Sequence, residues 1–587
     1  MLWFDAKVGL GLRRIDLKFQ WAHWHISTNG LAAPLYQDPV NGPTPQYNNL
    51  PSSSTTQLEG IPTMKTFLDL PQDILLHTLT MFCNDWDRAR ISKVSRQLRT
   101  LVKPAIFRRV TWSPHYHPER GFVPEELFSY IRRLIVDDKY GRTPPADIAS
   151  ELRKNLARFP VLDLLAFKSV DMSDELMEAL RTAPALTKIT LVMPQPGRSI
   201  LPPRLAPNLS APALKKVVLR TSLRVANYNY GLTRRERKHV ELEAGNFSCV
   251  FAAAHTTLET LIMLGEHLFI AFDPTLDWGN LRELHVQGFW PILPEGSQQA
   301  KMRDILEALP LLAVLKLNLT VPKDESEAST CAISEDHLPR NPATFLSRLR
   351  HFELASLSPS ERILSFLPED IQTLTLTRFP LQAAALNTRQ SILTTDVLHQ
   401  FLKPLQFPRL TSLTVWYHID SPAALEDEDA LLSDLASKFP LLQHLEIHRR
   451  WSHYNELLED RWDPVRPLRE LLSKLPRLER CSIDVDHPDR YGQRAFHAGV
   501  DRWGSDQREC EDHEKRLRLL AMDIVASCPP LRHLSMYREM SYSAITYWAA
   551  WFVIWAADGS FTLAPESDRY TDWLDNSTDM CYSYTDV

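Results

Sequence analysis

A single recurring pattern narrows the folding options more than any other feature. Between Ile131 and Met536 the chain returns thirteen times to Leu-x-x-Leu-x-Leu or its aliphatic equivalent, usually behind a helix-like stretch and a proline. The pattern starts at Ile131, Leu162, Leu186, Leu214, Leu258, Leu281, Leu312, Leu349, Ile371, Leu410, Leu442, Leu478 and Leu531. The spacing averages about 33 residues and is uneven. In each unit the last two aliphatics alternate with polar residues, which predicts a short strand with one buried face. The stretches ahead of them, such as 302–309 and 431–439, place apolar residues at helical spacing. One strand and one helix cannot bury their own apolar faces, whereas stacked units share a continuous core.

Length and composition agree with an array rather than a single compact domain. At 587 residues the chain exceeds what one hydrophobic core normally organises. Its 44% hydrophobic and 24% charged residues exclude a largely disordered, collagen-like or integral membrane protein. Only 18 glycines argue against chemistry built on phosphate-cradling glycine loops. The formal charge of −6 resides in the last thirty residues, where seven acids from Asp558 to Asp586 face the single Arg569. The remainder is neutral, without the basic stripe that a phosphate backbone selects, so nucleic acid is not an expected partner. Seven cysteines without paired spacing suggest reduced thiols and an intracellular setting, cytoplasmic or nuclear.

Residues 1–66 hold scattered aromatics and a Pro/Ser/Asn/Gln-rich run, and read as a disordered leader or an extension ahead of a start at Met64. From Leu68 to Val110 the apolar positions fall in helical clusters, first Leu70, Ile74, Leu75 and Leu79, then Ile91, Val94, Leu98 and Leu101. Pro71 suits a first helical turn and Pro104 a last one. A helical unit this short is marginal without a partner.

The run Leu70-Pro71-Gln72-Asp73-Ile74-Leu75-Leu76, followed by Val94-Ser95-Arg96-Gln97-Leu98-Arg99 and by Pro104-Ala105-Ile106-Phe107, resembles an F-box. Departures are Asp73 where the family has Glu, Thr78 at a usually aliphatic place, and an irregular middle around Cys83–Asp87. The repeats resemble the leucine-rich-repeat region that often follows an F-box, although the Asn such repeats place after the strand is mostly missing. The resulting expectation is an α/β chain: an F-box at 67–111, an irregular leucine-rich-repeat solenoid at 112–543 with parallel strands inside and helices outside, a β-hairpin cap at 544–564 and an acidic tail at 565–587. The hairpin is predicted from Asp558-Gly559, a type I′ turn signal between apolar runs.

The resemblance implies a substrate-recognition subunit of an F-box-type cullin-RING ubiquitin ligase. Leu70, Pro71, Ile74, Leu75, Val94, Leu98 and Leu101 would be the apolar knobs that dock on the ligase adaptor. The strand positions facing away from the core are polar, charged and aromatic towards the C-terminus. Among them and at the strand exits, Trp416, His448, Arg449, Arg450, Trp451 and Tyr537 match the chemistry of interface anchors and are the candidate contacts for a protein target. The alternative is a leucine-rich-repeat scaffold outside any ligase. His351, His444, His448 and His533 sit on different repeats without ligand spacing, and no serine elbow, cysteine nucleophile motif or Walker-type loop occurs, so neither a metal, a cofactor nor an enzymatic activity is expected.

Overall fold

The computed structural model describes residues 71–82, 85–114, 121–138, 143–168, 170, 173–193, 213–221, 244, 247–248, 250–290, 297–322, 331–377, 388–389, 393–451, 465–484, 507–539 and 546–566. The expected leader and the acidic tail beyond residue 566 lie outside them. The chain divides into two compact units, 1–106 and 107–587.

In the first unit, helices span Gln72–Phe82, Asp85–Ile91 and Arg96–Ile106. Ser95 starts the third, its Oγ accepting from the Leu98 amide at 3.1 Å, which satisfies one of the donors a helix start leaves open. Leu98 and Val102, one turn apart, meet Leu79 of the first helix, with Ile91, Leu101 and Ile106 packed around them.

In the second unit the strands are β1 Arg109–Trp112, β2 Arg133–Asp137, β3 Leu164–Lys168, β4 Lys188–Met193, β5 Lys216–Thr221, β6 Thr260–Leu264, β7 Glu283–Phe289, β8 Val314–Pro322, β9 His351–Ala355 and β10 Thr373–Thr377. They continue as β11 Thr388–Arg389, β12 Leu393–Thr394, β13 Ser412–Ile419, β14 His444–Trp451, β15 Arg480–Asp484, β16 His533–Glu539, β17 Thr546–Trp555 and β18 Phe561–Pro565. From β1 to β10, and on through β13, β14, β15 and β16, each strand pairs in parallel with the next. The two-residue β12 adds to the far end of β13, and β11 pairs antiparallel with the end of β8.

The repeat pattern maps directly onto this ladder. Every one of the thirteen pattern starts is buried, none more than 3% exposed, and lies two residues ahead of a strand. Alternate strand residues, such as Leu134 and Val136 or Leu445 and Ile447, enter one hydrophobic core that runs the length of the array. Helices Pro145–Asn155, Asp174–Leu180, Ser297–Glu307, Thr395–Leu402, Pro422–Lys438, Val465–Ser473 and Gln507–Val525 precede several strands. Single 3-10 turns stand at Glu335–His337 ahead of β9 and at Ile363–Phe366 ahead of β10. There the buried Glu361 carboxylate accepts from the amides of Ala332, Ile333, Arg362 and Ile363 at 2.6 to 3.0 Å, doing for the loop backbone what helical bonds do elsewhere. At Gly265, which turns β6 straight into helix Gly265–Ala271, an added Cβ would lie 2.3 Å from the Phe289 carbonyl oxygen.

One boundary and one turn type differ from the sequence reading. Arg109 and Val110, placed in the F-box exit, belong to β1, whose Val110 pairs with Leu134 and whose Trp112 enters the repeat core. The hairpin turn is also not type I′. Only Gly559 has positive φ, at 82°, while a type I′ turn needs positive φ at Asp558 as well. The Gly559 amide bonds the Ala556 carbonyl at 3.1 Å and the Ala556 amide bonds Ser560 at 2.8 Å, a three-residue loop ending in a left-handed glycine. Asp558 stabilises it by accepting from the Ser560 amide and hydroxyl, at 2.9 and 2.6 Å.

The hairpin ends the sheet by reversing direction: β17 pairs antiparallel with β16, and β18 with β17. Trp551, Val553 and Leu563 join the common core, and the Trp555 indole donates to the Leu531 carbonyl at 2.9 Å. Truncation after Glu539 uncovers β16 and its Leu534 and Met536, so the shortened chain is expected to unfold at lower temperature and to aggregate. A melting temperature and light scattering equal to those of the full chain would contradict this role.

Candidate functional site

The adaptor-facing candidates separate into two groups. Pro71, Ile74 and Val94 are exposed, Ile74 at 48% and Val94 at 76%. Leu75 and Leu98 are buried and Leu101 half-buried, while Leu70 lies outside the described residues. The expectation of knobs that all point outward is therefore corrected for Leu75 and Leu98. Leu98 lies one helical turn from Val102 and is drawn into contact with Leu79, whereas Val94 sits in the turn before helix Arg96–Ile106 and stays outside the cluster.

The target-facing candidates concentrate where β13 and β14 run for eight residues each, longer than the repeat pattern requires. Extension keeps the alternation of the strand going past the expected exit loop. Arg449 consequently falls on the core side with Leu445 and Ile447, and Trp416 and His448 fall on the other, in register with each other.

On the core side, Arg449 is 1% exposed and reaches Glu428 of helix Pro422–Lys438. Its Nε and Nη2 donate to Glu428 Oε1 and Oε2, both at 2.6 Å, and the Tyr417 hydroxyl donates to the same Oε1 at 2.6 Å. A guanidinium gripped by two parallel bonds and a shared carboxylate is among the few arrangements that make a buried ion pair tolerable. Burial, reinforced by the Glu428 charge, holds the Tyr417 phenol well above its ordinary pKa, so it remains a donor. The expectation of Arg449 as an exposed anchor is thus corrected: it ties two strands to a helix. Its partner was legible in principle, because Glu428 precedes Leu431, Leu432 and Leu435 at helical spacing on the face that becomes buried.

On the opposite face, Trp416 stacks on His448 with ring centroids 3.6 Å apart and planes 13° from parallel. His448 Nε2 donates to Glu446 Oε1 at 2.6 Å, and Nδ1 lies 3.9 Å from Asp484 of β15, its register partner. Trp416, His448 and Asp484 are 8%, 2% and 1% exposed, so this row is packed rather than offered to solvent, and the expectation of exposed Trp416 and His448 is corrected too. Flat rings across adjacent strands gain more by stacking than by hydration. For Arg450, Trp451 and Tyr537 the described structure gives strand positions on β14 and β16; their side chains lie outside it.

Around this row the same face is polar and accessible. His444 and Arg480 are exposed, and Thr414, Glu446 and Ser482 half-buried. Towards the middle of the array, Glu353 accepts from Asn318 Nδ2 at 2.8 Å and lies 3.4 Å from Lys316 Nζ, and His351 bonds the Thr373 hydroxyl at 2.9 Å. Partial burial, with Lys316 near one and Arg480 near the other, lowers His351 and His444 below the usual imidazole range, so both are neutral at neutral pH. The face therefore presents hydrogen-bonding groups held by neighbouring strands. Cys331, Cys481 and Cys528 are buried free thiols, and burial raises all three, Cys528 to about 11. Among the described residues no group of three His, Cys, Asp or Glu side chains is placed to hold a metal ion, and no helix is long and apolar enough to cross a membrane.

The chain matches no protein-family model and no curated protein. Among solved structures it is similar to an internalin (inlF) of Listeria monocytogenes, at 12% identity over 62% of this chain and 76% of that one, with a TM-score of 0.26. It is similar also to the leucine-rich-repeat protein LIC12759 of Leptospira interrogans, at 13% identity over 69% and 95% of the two chains, with a TM-score of 0.23. A third similarity is to TLR13 in a complex with ssRNA13, at 15% identity over 61% and 56%, with a TM-score of 0.19.

Two outcomes follow from the buried groups. Glu428→Gln leaves Arg449 without its counter-charge and is expected to destabilise the array by about 3 kcal/mol in urea unfolding, whereas a change within about 0.5 kcal/mol would show the pair to be dispensable. Native protein at pH 8 is expected to leave Cys331, Cys481 and Cys528 unmodified by a maleimide reagent until denaturant is added, read by peptide mass mapping.

Proposed function

We propose that the chain is a non-catalytic substrate receptor: its N-terminal helical unit docks on the adaptor of an F-box-type cullin-RING ubiquitin ligase, and its repeat array holds a protein target. The observation that carries the adaptor half is the exposure of Ile74 and Val94, two apolar positions of the F-box-like motif, at 48% and 76%, while Leu79, Leu98 and Val102 complete the unit's own small cluster. Apolar side chains that the unit does not use internally are available for a partner. The target half is supported by the polar face of the ladder, where neighbouring strands hold half-buried side chains such as Glu353 and His351 in place and so lower the ordering cost of binding.

On this reading the chain accelerates ubiquitin transfer by tethering: a target held beside the charged ubiquitin carrier meets it at high effective concentration, with no nucleophile required of the receptor. The raised, buried thiols suit a receptor better than an enzyme that transfers acyl groups through cysteine. The setting is then cytoplasmic or nuclear, where such ligases work.

The test is co-purification from cells with the full chain and with an Ile74→Asp, Val94→Asp variant. Both positions are exposed, so the variant is expected to melt at the wild-type temperature, to lose the adaptor and to keep other partners. Equal adaptor recovery would refute the docking assignment, and absence of adaptor from the wild type, with other partners retained, would favour a scaffold outside any ligase.

A further inference from the structure

We infer that the first rungs of the repeat array carry a basic row that binds an extended, acidic peptide segment. The inference rests on the strand face as the target-binding surface and is independent of adaptor docking. The strand register places Arg109 of β1 opposite Arg133 of β2, Arg133 opposite Leu164 of β3, Leu164 opposite Lys188 of β4, and Lys188 opposite Lys216 of β5. All lie on the side of the sheet away from the core, since their neighbours Val110, Leu134, Leu165, Ile189 and Val217 face it. Four of the five positions at this single level are cations, and two pairs, Arg109 with Arg133 and Lys188 with Lys216, are directly adjacent across strands.

Like charges directly opposite one another in a sheet repel and are destabilising. Arg109 and Arg133 are exposed, and Lys188 keeps 44% of its side chain accessible. The exposed Arg108 and Arg132 adjoin them, with the amides of Arg132 and Arg133 donating to the Arg108 carbonyl at 3.0 and 2.9 Å. Among the described residues no carboxylate lies within ion-pair distance of these four arginines.

With strands about 4.8 Å apart, the row from Arg109 to Lys216 spans about 19 Å, the length of roughly six residues of extended chain. Arginine forks match carboxylates bidentately, so Asp and Glu side chains laid across the strands would relieve the repulsion and gain charge-assisted bonds. A continuous polyanion fits less well. Asp163 sits 3.8 Å from Lys188 and Glu259 sits 2.8 Å from Lys215, so the β4–β5 end of the row mixes signs, which a peptide with discrete charges can follow and a phosphate backbone cannot.

The experiment titrates the full-length protein into a fluorescein-labelled peptide of alternating Glu and Asp, into its Gln/Asn counterpart and into a labelled oligothymidine, by anisotropy at low and physiological ionic strength. The Glu/Asp peptide is expected to bind, more weakly as salt rises, and the other two to bind at least about ten-fold more weakly. An Arg109→Ala, Arg133→Ala variant is expected to lose about ten-fold in affinity, and a Lys474→Ala, Arg477→Ala control, remote in the repeat array, to lose none. A second variant, Arg133→Glu, is expected to raise the melting temperature by relieving repulsion from Arg109 while abolishing binding, which separates loss of the site from loss of the fold. Absence of binding to the Glu/Asp peptide, an equal loss in the control, or unchanged affinity in the double variant would each overturn the inference. Oligothymidine binding as tightly and depending on the same arginines would replace the peptide with nucleic acid.

Discussion

The structure of the repeat unit depends on a core that no rung owns. Each pattern leucine, from Leu162 to Leu531, is buried only because the rungs before and after it supply the other walls of its cavity. Burial of a leucine is worth about 2 kcal/mol against the entropy of ordering its segment, so one strand with its connection does not stand alone and the stacked series does. The same dependence makes the two ends of the series special. At the C-terminal end the antiparallel β17 and β18 close the sheet with Trp551, Val553 and Leu563 against the core, a change of strand direction that a further parallel repeat would not provide.

Sharing a core leaves the other face of each strand outside that core, and the array uses that face differently along its length. Near β13 to β15 it is packed, with Trp416 flat on His448 and Asp484 beside them. In the middle it holds side-chain pairs such as Asn318 with Glu353. At the first rungs it carries adjacent cations. A recognition surface built in this way has its side chains positioned by the ladder spacing, so its specificity comes from which charges fall in register rather than from loop conformation.

The buried Arg449, Glu428 and Tyr417 set shows the cost of lengthening a strand. Once β14 continues beyond Ile447, the next core-side position must be filled, and an arginine there requires a counter-charge from the covering helix. Such a pair adds little net stability over apolar packing; its two parallel bonds to Arg449 and the third from Tyr417 join helix Pro422–Lys438 to β13 and β14.

The sequence by itself determined the strand sites. The two-residue alternation in every unit located the thirteen strands of the pattern, their buried side and the parallel stacking, since strand periodicity and the need for a shared core act locally on each segment. It also identified the helical character of the segment resembling an F-box and the presence of a C-terminal hairpin. What it did not determine depended on neighbours distant in sequence. Whether Leu98 points into a cluster with Leu79 or outward like Val94 is decided by how three short helices meet. Whether Trp416 and Arg449 are anchors or packing elements is decided by strand length and by partners on other rungs and on the covering helix. The alignment of Arg109 with Arg133, and of Lys188 with Lys216, exists only in the register between strands, because each cation reads in its own segment as an ordinary solvated residue and acquires its meaning from the one beside it.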